Sequence, residues 1–163
     1  MLKTTLVLLA LLLPACPALA LAQITGNRVG DLEVVQPWSM ELPPNAPTVA
    51  AYFVIRNNGK TADTLTGVES PVAGSAQFHE HISQDGLMKM QQVQSVEIPA
   101  GGSVVFAPMA YHVMLLDLKD KSKLVDGQAF PLTLHFETSG DINVDVPVLK
   151  QAPEPIDTTQ HNH

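Results

Sequence analysis

The chain has 163 residues, a formal net charge of −7, six methionines and one cysteine. That length suits a single domain around one core, and the acidic balance excludes nucleic acid and anionic membrane surfaces as partners. The lone cysteine, Cys16, lies in the leading apolar stretch. Once that stretch is removed, a disulfide framework, thiol catalysis and a cysteine-ligated blue-copper centre are all excluded.

Residues 1–22 read as a secretory signal peptide. Lys3 precedes the apolar run Leu6–Leu13, and Ala18-Leu19-Ala20-Leu21-Ala22 supplies small residues ahead of Gln23. The run is too short to stay behind as an anchor, so Gln23 is expected to open the mature chain. Leu13-Pro14-Ala15-Cys16 also resembles a bacterial lipoprotein site. Pro14 and the second cleavage site downstream make lipidation at Cys16 the lesser reading. No later apolar run is long enough to cross a bilayer, so no transmembrane segment is expected after cleavage.

From Gly30 onward the pattern is β throughout. Strands are predicted over Gly30–Val35, Val49–Arg56, Thr64–Val68, Ala76–Ile82, Leu87–Val93, Ser95–Ile98, Ser103–Ala107, His112–Leu118, Phe130–Thr138 and Ile142–Val148. Turn signals separate them, among them Asn57-Asn58-Gly59, Asp85-Gly86, Ala100-Gly101-Gly102, Asp126-Gly127 and Ser139-Gly140-Asp141. Short strands with regular turns and no helical period predict an all-β antiparallel sandwich or barrel, a single domain over residues 23–150. Residues 151–163 turn polar and end in His161-Asn162-His163, the composition of a disordered, His-containing tail.

Within this frame His79, Met90, His112 and Met114 stand out. Thioether sulfur is a soft, neutral donor that selects Cu(I), and imidazole suits several metals. Two of each make a cysteine-free set for a soft monovalent ion. Strand periodicity puts His112 and Met114 on one face. Asp85-Gly86 makes a hairpin of the flanking strands, in one of two registers. A two-residue loop sets His81 against Met90 and Ile82 against Lys89. A four-residue loop, Ser83–Gly86, sets His79 against Met90, Glu80 against Lys89 and His81 against Met88. The second pairs opposite charges and apolar with apolar, and is the preferred reading. The site is expected at the end of a packed sandwich, with Glu80 on the opposite face.

These residues at this spacing resemble the PCu(A)C family of periplasmic copper chaperones. The likeness extends to Pro37-Trp38, Ala50-Ala51-Tyr52-Phe53, Asn57-Asn58-Gly59 and Asp63-Thr64-Leu65. It continues in Phe78-His79-Glu80-His81, Met88-Lys89-Met90, Ile98-Pro99-Ala100-Gly101-Gly102 and Tyr111-His112-Val113-Met114-Leu115. The resemblance implies a cupredoxin-like Greek-key fold, a periplasmic location and a monomer that binds Cu(I) without being an enzyme. It also implies delivery to the dinuclear copper centre of a haem-copper (cytochrome c) oxidase, through an oxidase subunit or another copper chaperone. The alternative is a copper-sequestering resistance protein with no dedicated acceptor. Many members carry Met where this chain has His81.

His81 and Met88 share the expected ligand face and are auxiliary candidates. The tail pair His161 and His163 offers nitrogen donors for a second copper, Cu(II), which prefers nitrogen and oxygen ligands. His135 alternates against Leu132, Leu134 and Phe136 and is expected to face outward, inert. Met40 and Met109 are placed in or beside loops, with packing preferred over shielding the metal from water as the role of Met109, and Trp38 and Tyr52 are read as core or rim aromatics.

Overall fold

The computed structural model describes residues 27–154. The expected signal peptide, Cys16, His161 and His163 lie outside them. The described residues form eleven strands: β1 (Arg28–Val29), β2 (Leu32–Met40), β3 (Val49–Asn57), β4 (Asp63–Glu69), β5 (Ala73–Gln84), β6 (Leu87–Val93), β7 (Val96–Ile98), β8 (Ser103–Phe106), β9 (His112–Leu118), β10 (Ala129–Phe136) and β11 (Gly140–Leu149). One 3₁₀ turn, Lys121–Lys123, precedes β10.

Period-two burial explains why these segments are strands. In β11, Ile142, Val144, Val146 and Val148 are buried while Asp141, Asn143 and Asp145 face out. β10 buries Phe130, Leu132, Leu134 and Phe136 in the same way. The strands run β6-β5-β9-β3-β2-β11-β10-β4-β7, with β8 also on β3 and β1 on β2. The ladder folds over so that its two halves enclose one core. The strand pairs are antiparallel except that of β11 with β2, where Val148 meets Ser39 and Leu149 meets Met40. That parallel seam joins the two layers and is the one departure from the expected antiparallel sandwich.

The core holds Leu32, Phe53, Ile55, Leu65, Ile98, Phe106, Val113, Leu115, Phe130, Leu132 and Leu134, each 2 % exposed or less. Burying a side chain of this size contributes about 1.5–3 kcal/mol. Phe106 stacks on Phe53 at 4.5 Å between ring centres and meets Phe78 edge-on at 6.4 Å. Phe78, Val113 and Val93 share the inward face of β5, β9 and β6. Residues one step along these strands therefore point outward, away from the core.

β2 carries an irregularity between Val35 and Trp38, where Gln36 takes a positive φ of 49°. It re-aims Trp38 onto Tyr52, at 4.6 Å between ring centres. The pair is a packed rim, as expected of these aromatics. Met40 ends β2, beside the loop that follows it, as expected, whereas Met109 is 60 % exposed, so the expected packing role for Met109 does not hold. His135 faces outward as predicted, with its Nδ1 2.8 Å from Asp141 Oδ1 and its Nε2 3.8 Å from Glu69 Oε1.

Candidate metal centre

β5 pairs with β9 on one side and β6 on the other, and it outruns β9. The last pair of the β5–β9 ladder is His79 with His112, beyond which the β5–β6 hairpin projects past the sheet. The candidate ligands gather at that corner, on the outward face. The candidate ligands thus sit where the β5–β9 ladder ends.

The hairpin adopts the two-residue loop. Gln84 pairs with Leu87, Ile82 with Lys89, His81 with Met90 and His79 with Gln92. The preferred four-residue register, with His79 facing Met90 and Glu80 facing Lys89, is therefore wrong. Asp85 and Gly86 have φ of 55° and 76°. Positive φ at both positions is what a type I′ turn requires, and its twist matches that of the strands it joins. The Glu80–Lys89 attraction behind the other register is a surface ion pair, a contribution of roughly 0–1 kcal/mol. In the structure both groups find amides instead. Gln91 Nε2 donates to Glu80 Oε1 at 3.1 Å, and Lys89 Nζ donates to Gln84 Oε1 at 2.8 Å. Glu80 faces away from the ligands, as expected.

Three imidazoles and one thioether come together. The His112 ring centre lies 5.7 Å from that of His79 and 5.1 Å from that of His81. His112 Nε2 lies 3.3 Å from Met90 Sδ. Met114 sits on the same face one pair further along β9, opposite Gln77 and half-buried. Met88 pairs with Ser83 on this face and is 52 % exposed.

The turn over 107–111 orients His112. Ala107 N–H donates to Tyr111 O at 2.8 Å and Ala110 N–H to Ala107 O at 3.0 Å. This aims the Ala110 carbonyl at His112 Nδ1, 3.2 Å away, and the same oxygen accepts the backbone N–H of His81 at 3.4 Å. His112 is 3 % exposed, so its two ring nitrogens face two acceptors, a carbonyl and a thioether, in a buried setting. A neutral imidazole carries one N–H and can satisfy one of them. Protonation would satisfy both, but burial lowers the His112 pKa from its ordinary value. The Ala110 hydrogen bond opposes that shift, and His81 and His79 add to it. With Nδ1–H on Ala110, the Nε2 lone pair meets the sulfur lone pair, an arrangement completed by a cation between them.

The separation fits that role. Tetrahedral metal–nitrogen and metal–sulfur bonds of about 2.0 and 2.3 Å place the two donors about 3.5 Å apart. His79 and His81 add a second observation: Nδ1 of each is buried without a hydrogen-bond partner. A buried polar atom left unpaired costs about 1–3 kcal/mol, and both are free to coordinate. Burial also lowers the His79 pKa, which favours the neutral ligand form. Among the described residues no group of three or more His, Cys, Asp or Glu is placed to hold a metal ion. The thioether of Met90 beside His112 sets this corner apart from carboxylate–imidazole zinc sites.

The sequence reading missed the Ala110 carbonyl, for which residue type gives no signal, and ranked His81 below its place beside Met90. The Asp-Gly dipeptide was the signal that would have raised it.

Fold and corner together define a β-sandwich, without cysteine among the described residues, that gathers imidazole and thioether side chains at one corner. The LpqE-like family model, described as "Putative lipoprotein LpqE-like", matches residues 32–148. The relative "Putative lipoprotein Lxx21020" of Leifsonia xyli subsp. xyli is 32 % identical over 130 residues, 79 % of this chain and 76 % of that protein. Among solved structures, the apo PCuAC domain from PmoF1 is 31 % identical, with a TM-score of 0.63 over 77 % of this chain and 98 % of that one. The Cu(I) form of DR1885 from Deinococcus radiodurans is 26 % identical, with a TM-score of 0.60 over 80 % and 84 %. The chain belongs to the LpqE-like family, and its sandwich is a cupredoxin-like domain of the PCuAC copper-chaperone family.

Proposed function

We propose that this protein is a periplasmic copper chaperone that carries Cu(I) at the corner formed by β5, β6 and β9. The observation that carries the reading is the 3.3 Å approach of His112 Nε2 to Met90 Sδ, two donors facing each other beside imidazoles with unpartnered nitrogens. His79, Met90, His112 and Met114 are the ligands. The similar structures, a PCuAC domain and a Cu(I)-bound protein, support copper as the cargo.

The activity is binding and release rather than catalysis. Met90 is 51 % exposed, so an acceptor can displace its sulfur first while His112, buried and held by Ala110, leaves last. Neutral thioethers disfavour Zn(II) yet yield to thiolates. The acceptor in this reading is the dinuclear copper centre of a haem-copper oxidase, reached directly or through another chaperone. Residues 1–22 direct export, residues 23–150 bind copper, and residues 151–163 form an appended tail.

Two measurements test this. Met90→Leu and Met114→Leu should each weaken Cu(I) in competition with a chelator while leaving Zn(II) affinity unchanged, because only the softness of the set changes. Equal losses for both metals would contradict the assignment. Cu(I)-loaded protein mixed with an apo-oxidase copper domain should then pass on its metal. Retention of copper in that mixture would favour sequestration.

A further inference from the structure

We infer that β6 is an association edge whose partner is the β6 strand of a second copy of this chain, paired antiparallel about Met90. The inference concerns the metal-free protein and does not depend on copper. It departs from the monomer implied by the family resemblance.

β6 closes the strand order on one side, with β5 as its one neighbour among the described residues, and β7 closes the other. β7 is three residues long, and very short edge strands are one way in which sheets avoid pairing with other chains. β6 has seven residues, runs in unbroken register with β5, contains no proline and carries one charge, Lys89. Its Leu87, Met88 and Met90 are 65, 52 and 51 % exposed.

The ladder decides which backbone groups of β6 are free. Along an antiparallel strand, alternate residues turn their N–H and C=O towards one neighbour and the rest turn them away. The His81 N–H donates to Ala110 O, away from β6, so His81 and Met90 oppose each other without exchanging backbone hydrogen bonds. By the same alternation Met88, Met90 and Gln92 direct their N–H and C=O out from the edge of the sheet. No described strand or turn receives them.

This edge is complementary to itself. Two-fold pairing about Met90 sets Met90 against Met90 and Met88 against Gln92, so every outward group gains a partner. Pairing about Lys89 or about Gln91 leaves one of the three residues unmatched in each copy, and the former also sets Lys89 against Lys89, a repulsion. Pairing about Met90 instead places Lys89 opposite Gln91 of the second copy, and Leu87 opposite its Val93. Within each copy Gln91 Nε2 donates to Glu80 Oε1 at 3.1 Å on the same face. Lys89 therefore lies two strand spacings, about 9.6 Å, from the Glu80 backbone of the second copy, within reach of two long side chains. Opposite charges line up twice, once on each side of the two-fold axis.

Amide exchange of the full mature, metal-free chain tests this over roughly 10 µM to 1 mM, with mass followed by sedimentation. The expected result is a species of twice the monomer mass at the upper end, with exchange at Met88, Met90 and Gln92 slowed as it forms. Leu87, Lys89 and Gln91, already bonded to β5, should exchange at a constant rate. Gln92→Pro removes an outward N–H without removing a β5–β6 bond and should leave a monomer. Lys89→Glu makes both charged rows repulsive and should raise the dissociation constant about tenfold, and adding Glu80→Lys should restore it; a merely distorted hairpin would not recover. A monomer at every concentration would overturn the inference, as would a dimer whose Met88, Met90 and Gln92 amides stay unprotected or whose affinity ignores Lys89→Glu. Slow exchange at these three amides in a protein of monomer mass would also overturn it, because the edge would then be covered by the chain's own residues outside 27–154.

Discussion

Gly86→Ala would disturb the turn that sets the hairpin register, and its cost can be worked from the structure. Gly86 holds a φ of +76°, and a Cβ built there meets no atom within 4 Å. The penalty is therefore backbone strain alone, about 1–2 kcal/mol for an L-residue forced into the left-handed region. Residues 87–92 of β6 are exposed, and among the described strands β6 pairs only with β5, so the loss falls on the hairpin rather than on the core. That energy shifts a two-state balance about 5–30-fold, towards opening or towards the four-residue loop that moves Met90 from His81 to His79. The β6 amides bonded to β5 should exchange with solvent faster by that factor. Nuclear Overhauser contacts between His81 and Met90 should weaken, and Cu(I) affinity should fall although no ligand has changed. Asp85→Asn, which keeps a residue tolerant of positive φ, should be neutral in all three readouts. Unchanged exchange and unchanged His81–Met90 contacts in Gly86→Ala would refute the claim that this turn sets the register.

The titration of the site has a definite sign. Burial lowers the pKa of His79 and of His112, so protons compete with copper for these nitrogens only below the ordinary imidazole value of about 6.5. Cu(I) affinity measured against a chelator should be flat above that value and fall on further acidification; an affinity insensitive to acid would remove the histidines from the ligand set. The apo protein follows the same sign, because the unfolded chain takes up protons first. The stability contributed by the neutral rings is complete above about pH 6.5 and is lost as pH falls through their folded pKa values, which thermal melts of wild type against His79→Gln would show. Far from the site, Asp63 accepts Thr64 N–H (2.7 Å) and Thr138 N–H (3.0 Å) on Oδ1 and Ser139 N–H (2.9 Å) on Oδ2. Asp63→Asn turns an amide donor towards Ser139 N–H and should cost about 1–3 kcal/mol in denaturant titration. Burial alone would raise the Asp63 pKa, but bonds from Ser139, Thr138 and Thr64 lower it, so its contribution is present above about pH 3.9 and lost as pH falls through the folded value.

Much of this fold is legible because its strands alternate so regularly. β6 and β9 fall where the pattern of apolar residues and turn signals places them, and β10 and β11 differ from prediction by a residue or two at their ends. Two features escape for physical reasons. The β2–β11 seam is a contact between residues more than a hundred positions apart, and alternation within one strand carries no information about its partner. The hairpin register turns on a competition between turn geometry and cross-strand charge. Weighting the Glu80–Lys89 attraction above the Asp85-Gly86 turn reversed the outcome, because on an exposed surface solvent screens the charge pair but does not relax backbone strain. At the site, spacing and donor softness single out His79, Met90, His112 and Met114. The closeness of His81 and the Ala110 carbonyl that orients His112 follow from how β5, β9 and the intervening turn meet in space.

X-ray absorption at the copper edge of the Cu(I)-loaded protein tests the central claim most directly. A mixed imidazole–thioether centre predicts sulfur scatterers at about 2.3 Å together with nitrogen at about 2.0 Å, with the sulfur contribution halved in Met90→Leu. A shell of nitrogen and oxygen alone, unchanged by that substitution, would contradict the account.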